Sequence, residues 1–587
     1  MPEESKRSDL DSGTAANKLA VAPVEANGAT EVQHLSHPPV MALGETGPIR
    51  TRFSLQEMIE RATASRLRLC VLLVCGAGLL SVAFGPDNNW DLRYYHLYNP
   101  YAYLHGRYLY DLGPGQSQGF LNPTADFLFY SLISSPLNEF PRVVAFIMGA
   151  VHGINAALVL LIAIHVLRPA ERGTSLMLRA VAVLIGASGA GFVSLIGTTT
   201  NDLINSIFVL AALLAILKIA ESTDRHIAWT RFACAGLLAG LGCGIKYAAV
   251  IFIPGLALIA LITAVERKIT SGLIGFGLAL VFGFLAAAGH HMLTLWLAFD
   301  SPVFPWLNQI FQSPYYEPRA LRDTRFLPRD LWQAIVYPFY WTRIDRYIVA
   351  ELPFRDWRGA IAYMAIAAGV VAFTRDRLSR RHRSEEQQSE TQGLRLVFIF
   401  VVVSFFAWEF CFGIYRYAVV LEMLTGVVTI GALIYIVRHQ YLRLGAAMAL
   451  LTALAATTVY FDWGRGQFGE RSIDVRVPEL PAKSIVLLAT SLPAAYFIPF
   501  AEPTAQYLGI ENNYLEIAQD NRLAAEVKRL MREPGRSKFV LSMGAWDEAR
   551  LSHVLKRFGL KIDDLSCKPI WSNLQVHALS LCRIIGD

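Results

Sequence analysis

Two aspartates at the start of the first long polar segment are the residues best placed to do chemistry. Asp87 and Asp91 stand four positions apart within residues 86–142, close to Arg93 and His96. A carboxylate partly withdrawn from water has a raised pKa and can take a proton from a hydroxyl group near neutral pH. We predict that Asp91 is such a general base, with Asp87 second because its neighbours are typical of a turn. The alternative is that Asp91 only caps the helix that follows it.

One further carboxylate and three cations complete the candidate set. Asp202 ends the short polar turn 198–202, where it has either a direct role or the ordinary role of an acid that begins a helix. Lys246 and Arg416 stand at the ends of apolar runs, and Arg93 follows Asp91. Ionisable groups at such positions are costly and usually have a partner. We therefore predict contact with an anion such as a phosphate group.

Arg416 has a second interpretation as half of a structural ion pair. Glu409 and Glu422 lie close to it in the sequence, and either carboxylate could neutralise it inside the membrane. The sequence leaves both interpretations open.

The composition predicts that a lipid bilayer surrounds these residues. Apolar residues make up 54% of the 587 positions and charged residues only 17%, whereas a soluble domain has about 25% charged residues. The mean hydropathy is +0.38. A net charge of +6 without a basic stripe argues against a nucleic-acid partner. No cysteine spacing is typical of a zinc site.

Apolar runs long enough to cross a bilayer predict eleven membrane spans. Residues 232–265 are divided into two of these spans, because the turn at 244–247 and Pro254 interrupt the run. The predicted spans are 67–85, 143–167, 176–197, 203–219, 232–246, 248–265, 272–297, 359–374, 396–413, 418–437 and 443–460.

Alternate connections between these spans are rich in Lys and Arg, which predicts a cytosolic N terminus. An odd number of spans then places the C terminus on the extracytoplasmic side. All the candidate residues named above fall on that same side.

The rest of the chain divides into segments of different character. Residues 1–50 predict a disordered cytosolic tail, and 51–66 predict an amphipathic interfacial helix. Residues 67–460 form the predicted membrane domain. Residues 461–587 predict a small extracytoplasmic α/β domain, with strands near 484–490, 538–543, 560–566 and 574–584 and helices near 516–532 and 546–558. Cys567 and Cys582 in this domain could form a disulfide, but a hairpin turning at Ser572-Asn573 would not place them opposite each other.

Two connections on the extracytoplasmic side are long and aromatic. Residues 86–142 predict helices that rest on the outer leaflet, with tyrosine hydroxyls toward water. Residues 298–358, which include Asn308, predict an ordered loop that acts as a lid. Its aromatic residues would either stack on a sugar or anchor the loop at the membrane interface.

Several short strings in this framework resemble the GT-C class of membrane glycosyltransferases. The similarity covers residues 65–460 as topology. The strings are Trp90-Asp91, Tyr94-Tyr95-His96, Thr200-Asn201-Asp202, Gly244-Ile245-Lys246-Tyr247, the segment from Ser301 to Asn308, and Tyr415-Arg416-Tyr417 with Glu422.

The resemblance implies an activity and a set of partners. GT-C enzymes use polyprenyl-phosphate sugars as donors and keep the base in the first outside loop, which implies that Asp91 is the catalytic base. It implies that Asp202 supports the active site or a divalent metal, with no other cofactor. The acceptor would be an envelope glycan, lipid or protein, at the inner membrane of a bacterium. The Asp-Glu pair of protein O-mannosyltransferases is absent, which leaves the acceptor class open.

Seven residues receive binding roles under this resemblance. Lys246, Arg416 and Arg93 would contact the donor phosphate. The residues assigned to the acceptor or the sugar are Tyr94, Tyr95, His96 and Asn308.

Two other functions compete with this one. A flippase or transporter of a lipid-linked glycan would show internal repeats or charges near the bilayer midplane. The sequence shows no internal repeat, and the spans between Val143 and Leu297 hold few charges at mid-depth. A non-catalytic envelope assembly protein would present the C-terminal domain to a partner, and 461–587 contains no catalytic motif.

Overall fold

The structure is a computed structural model that describes residues 55–167, 172–219, 224–344, 348–378, 385–544, 547–574 and 577–586. The predicted tail at 1–50 and the first positions of the predicted helix at 51–66 lie outside these residues. The described chain is mainly helical and ends in a sheet domain, which confirms the predicted fold class.

Among the described residues, sixteen α-helices precede the sheet domain. They are α1 (Leu55–Phe84), α2 (Tyr98–Leu104), α3 (Asp126–Ile133), α4 (Pro141–Val166), α5 (Arg172–Ala187), α6 (Ala190–Leu195), α7 (Asp202–Ile219), α8 (Arg225–Ile245), α9 (Ile253–Glu266), α10 (Ser271–Phe299), α11 (Asn308–Phe311), α12 (Leu331–Tyr340), α13 (Arg358–Leu378), α14 (Glu385–Cys411), α15 (Val419–Ile436) and α16 (Gln440–Thr457).

Eight helical segments among the described residues are long and apolar enough to cross a membrane, so the chain is a multi-pass membrane protein. They are Ser65–Phe84, Pro141–Val166, Asp202–Ile219, Arg225–Ile245, Tyr247–Glu266, Ser271–Phe299, Gln392–Cys411 and Tyr415–Ile436. The other three predicted spans coincide with α5, α13 and α16, so the count of eleven stays a prediction. The division of 232–265 is confirmed, because α8 ends at Ile245 and a 3-10 turn, Tyr247–Phe252, leads into α9.

The predicted span 176–197 is wrong as a single helix. The chain leaves the helical conformation at Ser188-Gly189, between α5 and α6. The Glu422 carboxylate accepts the backbone N–H groups of Gly191 and Phe192, each at 2.8 Å. These bonds satisfy the first amides of α6 and compensate for the interrupted helix.

Glycines on α8 set the position of Lys246, which directly follows that helix. A Cβ atom at Gly236 or Gly240 would collide with the backbone carbonyls of Phe276 or Leu280 on α10. Small residues allow two membrane helices to approach this closely. The close packing of α8 against α10 therefore fixes the position of the backbone at Lys246.

In its described residues, the C-terminal domain is a six-stranded mixed sheet with two α-helices. The strands follow the order β1 (Val475–Arg476), β5 (Leu560–Ser572), β6 (Leu579–Gly586), β4 (Lys538–Ser542), β2 (Ile485–Leu488) and β3 (Gln506–Gly509), and the helices are α17 (Arg522–Arg532) and α18 (Glu548–Lys556). β2 runs parallel to β3 and β4, whereas β6 is antiparallel to both of its neighbours. The four predicted strands and two predicted helices are confirmed, and β1 and β3 were not predicted.

Cys567 and Cys582 form a disulfide. The β5–β6 register pairs Lys568 with Leu581 and Ile570 with Leu579, which brings the two cysteines opposite each other. The turn assumed from the sequence, at Ser572-Asn573, was therefore placed too early.

The long segment 86–142 packs under the sheet domain. Leu92 of a π-helix (Leu92–His96), Tyr98 of α2 and Leu97 between these two helices belong to the same hydrophobic core as the sheet residues. Leu112 also forms a parallel bridge with Leu508 at the edge strand β3. The prediction that the tyrosines of this segment lie on the lipid surface is wrong for most of them, because Tyr94, Tyr95, Tyr98, Tyr101 and Tyr108 are all buried in the protein.

Candidate active site

Five charged residues from five separate parts of the chain meet at one end of the helices. We call them the ionic cluster: Asp91, Asp202, Lys246, Glu351 and Arg416. Arg416 Nη1 donates to Asp91 Oδ2 at 2.6 Å, and Arg416 Nε lies 3.2 Å from Glu351 Oε1. The side chains of Asp91, Arg416 and Glu351 are 16%, 14% and 27% exposed, so ligands can reach them.

The second ion pair of the cluster joins Lys246 to Asp202. Lys246 Nζ donates to Asp202 Oδ1 at 2.7 Å. The Tyr417 ring links the two pairs, since its centre lies 4.9 Å from Lys246 Nζ and 5.4 Å from Arg416 Cζ. A cation over an aromatic face is attracted to it. Two of the three cations predicted to bind phosphate are thus neighbours around one ring.

Asp91 stands directly before the π-helix, but it does not cap it. Its side chain makes no capping hydrogen bond. Asn89 takes this role, since its Oδ1 accepts the backbone N–H of Leu92 at 2.7 Å. The capping interpretation of Asp91 is therefore wrong, and its carboxylate is directed to Arg416 instead.

The premise that Asp91 has a raised pKa is also wrong. Burial alone raises the pKa of this carboxyl, but the charges of Arg416, His96 and Lys246 lower it by more. The balance leaves the pKa of Asp91 below its usual range. Asp91 is thus an ionised carboxylate with a cation beside it, and the ionised form is the one that can accept a proton.

Asp87, the second candidate base, has a structural role. Its carboxylate accepts hydrogen bonds from the side chain and backbone of Asn89 and from the backbone and hydroxyl of Thr199, between 2.7 and 3.1 Å. These bonds tie the segment after α1 to the turn before α7. Arg93 also lies apart from the ionic cluster, with its Nε donating to the Asn89 carbonyl at 3.3 Å.

His96 forms a buried pair that the sequence did not predict. Its Nδ1 lies 2.6 Å from Asp126 Oδ1, and Asn201 donates to the same oxygen at 2.9 Å. The Tyr95 ring packs 4.1 Å from the His96 ring. His96 is only 1% exposed, so the structure places it beneath the cluster and not on a surface that a sugar can reach.

Tyr94 and Asn308 make hydrogen bonds that hold other parts of the chain in place. The Tyr94 hydroxyl accepts a hydrogen bond from Asn513 of the sheet domain at 2.9 Å. The Asn308 amide donates to the carbonyls of Ser313, Tyr316 and Glu317 and is fully buried. Asn308 therefore holds its own loop together, and it does not join the ionic cluster.

The proposed pairing of Arg416 with Glu409 or Glu422 is wrong. Glu422 belongs to a second group of buried residues, which we call the brace: Asp356, Arg358, Tyr415 and Glu422. The Tyr415 hydroxyl donates to Glu422 at 2.6 Å, and Arg358 pairs with Asp356 at 2.8 Å. The brace is adjacent to the ionic cluster, because Tyr415 precedes Arg416.

Glu351 is the member of the cluster that the sequence analysis did not predict. Asp126, the partner of His96, was not predicted either. Glu351 stands in Val349-Ala350-Glu351-Leu352-Pro353, a carboxylate isolated among apolar residues. An ionisable residue in such a setting usually has a partner. That isolation was the available signal.

A metal has no evident ligand set in the described part of the chain. No group of three His, Cys, Asp or Glu side chains there could hold one. In the ionic cluster the carboxylates face Arg416 and Lys246 instead of converging on one point.

No family model matches this sequence, and no curated protein matches it. Among solved structures, the Archaeoglobus fulgidus oligosaccharyltransferase, in complex with Zn and sulfate, is similar at 12% identity and a TM-score of 0.41, over 82% of this chain and 69% of that chain. ArnT from Cupriavidus metallidurans, in the apo state, is similar at 10% identity and a TM-score of 0.36, over 90% of this chain and 98% of that one.

Proposed function

We propose that this chain is a membrane glycosyltransferase of the GT-C class. It transfers a sugar from a polyprenyl-phosphate donor to an envelope glycan, lipid or protein acceptor. The observation that carries this proposal is the contact between Asp91 and Arg416. It brings a carboxylate that can act as a base and a cation that can bind phosphate to one partly exposed place beside the membrane.

The ionic cluster supplies the groups that such a transfer needs. Asp91 takes the proton of the acceptor hydroxyl as the acceptor oxygen forms a bond to the anomeric carbon of the sugar. The bond from that carbon to the phosphate oxygen breaks, and the electron pair leaves with the lipid phosphate. Arg416 and Lys246 stabilise the negative charge of this leaving group through charge-assisted hydrogen bonds. Asp202 holds Lys246 in place, at 2.7 Å.

The remaining predicted residues act through these groups. Tyr94, Tyr95 and His96 form the π-helix that follows Asp91, so we assign them to positioning the base. Asp87 and Arg93 fix the segment between α1 and that helix. We derive no step through a metal ion.

We place the active site on the extracytoplasmic side of the bacterial inner membrane, with the N terminus in the cytosol. The basic connections at the opposite ends of the helices support this orientation. On this side the donor's phosphate and the acceptor would meet at the membrane surface, above the cluster.

The distribution of charge favours an enzyme over a flippase. A transporter needs ionisable groups along a path through the bilayer. Here Asp91, Lys246 and Arg416 all lie near the ends of apolar helices. Asp91 contacts Arg416 there, and the Tyr417 ring lies close to both Arg416 and Lys246. This arrangement suits chemistry at the membrane surface.

The test is the variant Asp91→Asn, which keeps the size of the side chain and removes its charge. A general base contributes about 10²–10⁴-fold to a rate, so we expect transfer to fall by that factor while donor binding persists. The measurement is sugar transfer in membranes from a deletion strain, after a glycan and lipid profile of that strain has identified the missing product.

The matched control is Asp462→Asn, which changes an exposed aspartate whose carboxylate accepts the N–H of Gly464. It should transfer at the wild-type rate. An Asp91→Asn protein with more than about a tenth of wild-type activity would exclude Asp91 as the base. A deletion strain with unchanged glycans and lipids would contradict the proposed function as a whole.

A further inference from the structure

Two carboxylates share the guanidinium of Arg416, and they are held differently. Asp91 accepts a well-formed hydrogen bond from Nη1 at 2.6 Å. Glu351 lies 3.2 Å from Nε, but Nε makes no hydrogen bond of acceptable geometry to any described residue. Glu351 Oε2 also lacks a hydrogen-bond partner among the described residues. Charge alone therefore holds Glu351, without the directional bond that fixes Asp91.

The charges of the ionic cluster do not balance. Asp91, Asp202 and Glu351 supply three negative charges, whereas Lys246 and Arg416 supply two positive ones. Lys246 is paired with Asp202, and Arg416 is paired with Asp91 through its shortest contact. Glu351 is thus the surplus anion. With Glu351 in place, a phosphate group that approached Arg416 would meet repulsion as well as attraction.

We propose that the Glu351 carboxylate occupies the position on the Nε side of Arg416 to which the donor phosphate binds, and that the phosphate displaces this carboxylate on binding. This inference rests on the proposed function and adds a residue that sets donor affinity. The exchange removes one anion as another arrives, so the charge next to Arg416 changes little. Asp91 keeps its own side of the guanidinium, which leaves the base and the leaving phosphate on different edges of Arg416.

The backbone around Glu351 allows its side chain to move while the chain stays in place. Val349, Ala350 and Phe354 are buried, and the Val349 carbonyl accepts the backbone N–H of Tyr415 at 2.8 Å. The Glu351 side chain itself is 27% exposed. A side-chain rotation toward solvent is therefore enough for the exchange.

The experiment compares Glu351→Gln with wild type in binding of farnesyl phosphate, a short prenyl phosphate, by titration calorimetry on the full chain in nanodiscs. Loss of one competing ion pair should tighten binding about threefold to fivefold. Glu317→Gln is the matched control, since Glu317 lies in the same connection and pairs with Arg319 at 3.1 Å on the surface. Its affinity should equal that of wild type.

The opposite results separate the alternatives. Weaker binding by Glu351→Gln would show that Glu351 positions Arg416, and equal binding would show that Glu351 takes no part. Either result overturns the proposal and leaves the proposed function standing. Failure of the wild type to bind farnesyl phosphate would instead contradict the donor site itself. Glu351→Asp gives a second check, because its shorter side chain reaches Arg416 less well and should also tighten binding.

Discussion

The brace and the ionic cluster are two groups of charged and polar residues that meet at Tyr415-Arg416. They differ in how many of their buried polar atoms have a hydrogen-bond partner within the described chain. In the brace, Arg358 donates to Asp356, to the Ile185 carbonyl and to the hydroxyls of Ser188 and Thr458. None of the buried polar side-chain atoms of the brace lacks a partner among the described residues. In the ionic cluster, Asp202 Oδ2, Glu351 Oε2 and Arg416 Nε all lack one.

Exposure differs in the same direction. The side chains of Arg358 and Asp356 are 0% exposed, whereas the three side chains at Arg416 range from 14% to 27%. A buried polar group without a partner costs free energy, so such groups are rare unless function requires them. The comparison indicates that the brace supports the fold, and that the ionic cluster keeps hydrogen-bonding capacity for a ligand.

The largest expected effect on stability comes from breaking the brace. Arg358→Ala leaves the buried Asp356 carboxylate without its cation, and loss of one partner of a buried pair costs about 3–5 kcal/mol. We expect a large fall in the unfolding temperature of the detergent-solubilised protein, followed by fluorescence-detected size exclusion.

The control for this prediction is an exposed pair. Arg319→Ala removes a contact to Glu317 in which the arginine side chain is 55% exposed, and such pairs are worth about 0–1 kcal/mol. If Arg358→Ala unfolded at the same temperature as Arg319→Ala, the brace would not be a structural support.

A smaller effect, on binding alone, is expected from Lys246. If Lys246 contacts the donor phosphate, Lys246→Ala loses a charge-assisted hydrogen bond worth about 1.5–3 kcal/mol, which weakens binding of farnesyl phosphate about tenfold to hundredfold. Lys246→Arg should retain part of the affinity. Lys556→Ala, an exposed lysine in the last turn of α18, should bind as wild type does. Unchanged affinity in Lys246→Ala would return Lys246 to a purely structural pair with Asp202.

The sequence was sufficient to predict site residues whose charge conflicts with their apolar surroundings. Lys246 and Arg416 were predicted as site residues because cations at the ends of apolar helices need anions, and both have them. The helices were predictable for a related reason, since a chain in lipid must satisfy its backbone internally and long apolar runs show where it does so.

The sequence was insufficient to predict the roles of residues that depend on contacts with residues far away in the chain. Asp91 and Arg416 are 325 positions apart, and no local pattern shows that this arginine lowers the pKa of this aspartate. The role of Asp87 depends on Thr199 in the same way. The break at Ser188-Gly189 did have a local signal in its glycine, but the compensating carboxylate, Glu422, belongs to another helix.

The smallest expected effect concerns the pH dependence of stability, and it tests how strongly Asp91 is tied to Arg416. Because the native pKa of Asp91 lies below its usual range, its ion pair stabilises the fold above the unfolded pKa of about 3.9 and loses this effect as the pH falls through the native value. The unfolding temperatures of wild type and Asp91→Asn should therefore differ by a constant amount between pH 8 and pH 5, corresponding to about 1 kcal/mol, and converge below about pH 4. A difference that instead grows in favour of the wild type as the pH falls from 8 to 5 would mean that the pKa of Asp91 is raised in the native protein. Burial would then affect the pKa of Asp91 more strongly than the charge of Arg416 does, and the ion pair between Asp91 and Arg416 would be weaker than its distance suggests.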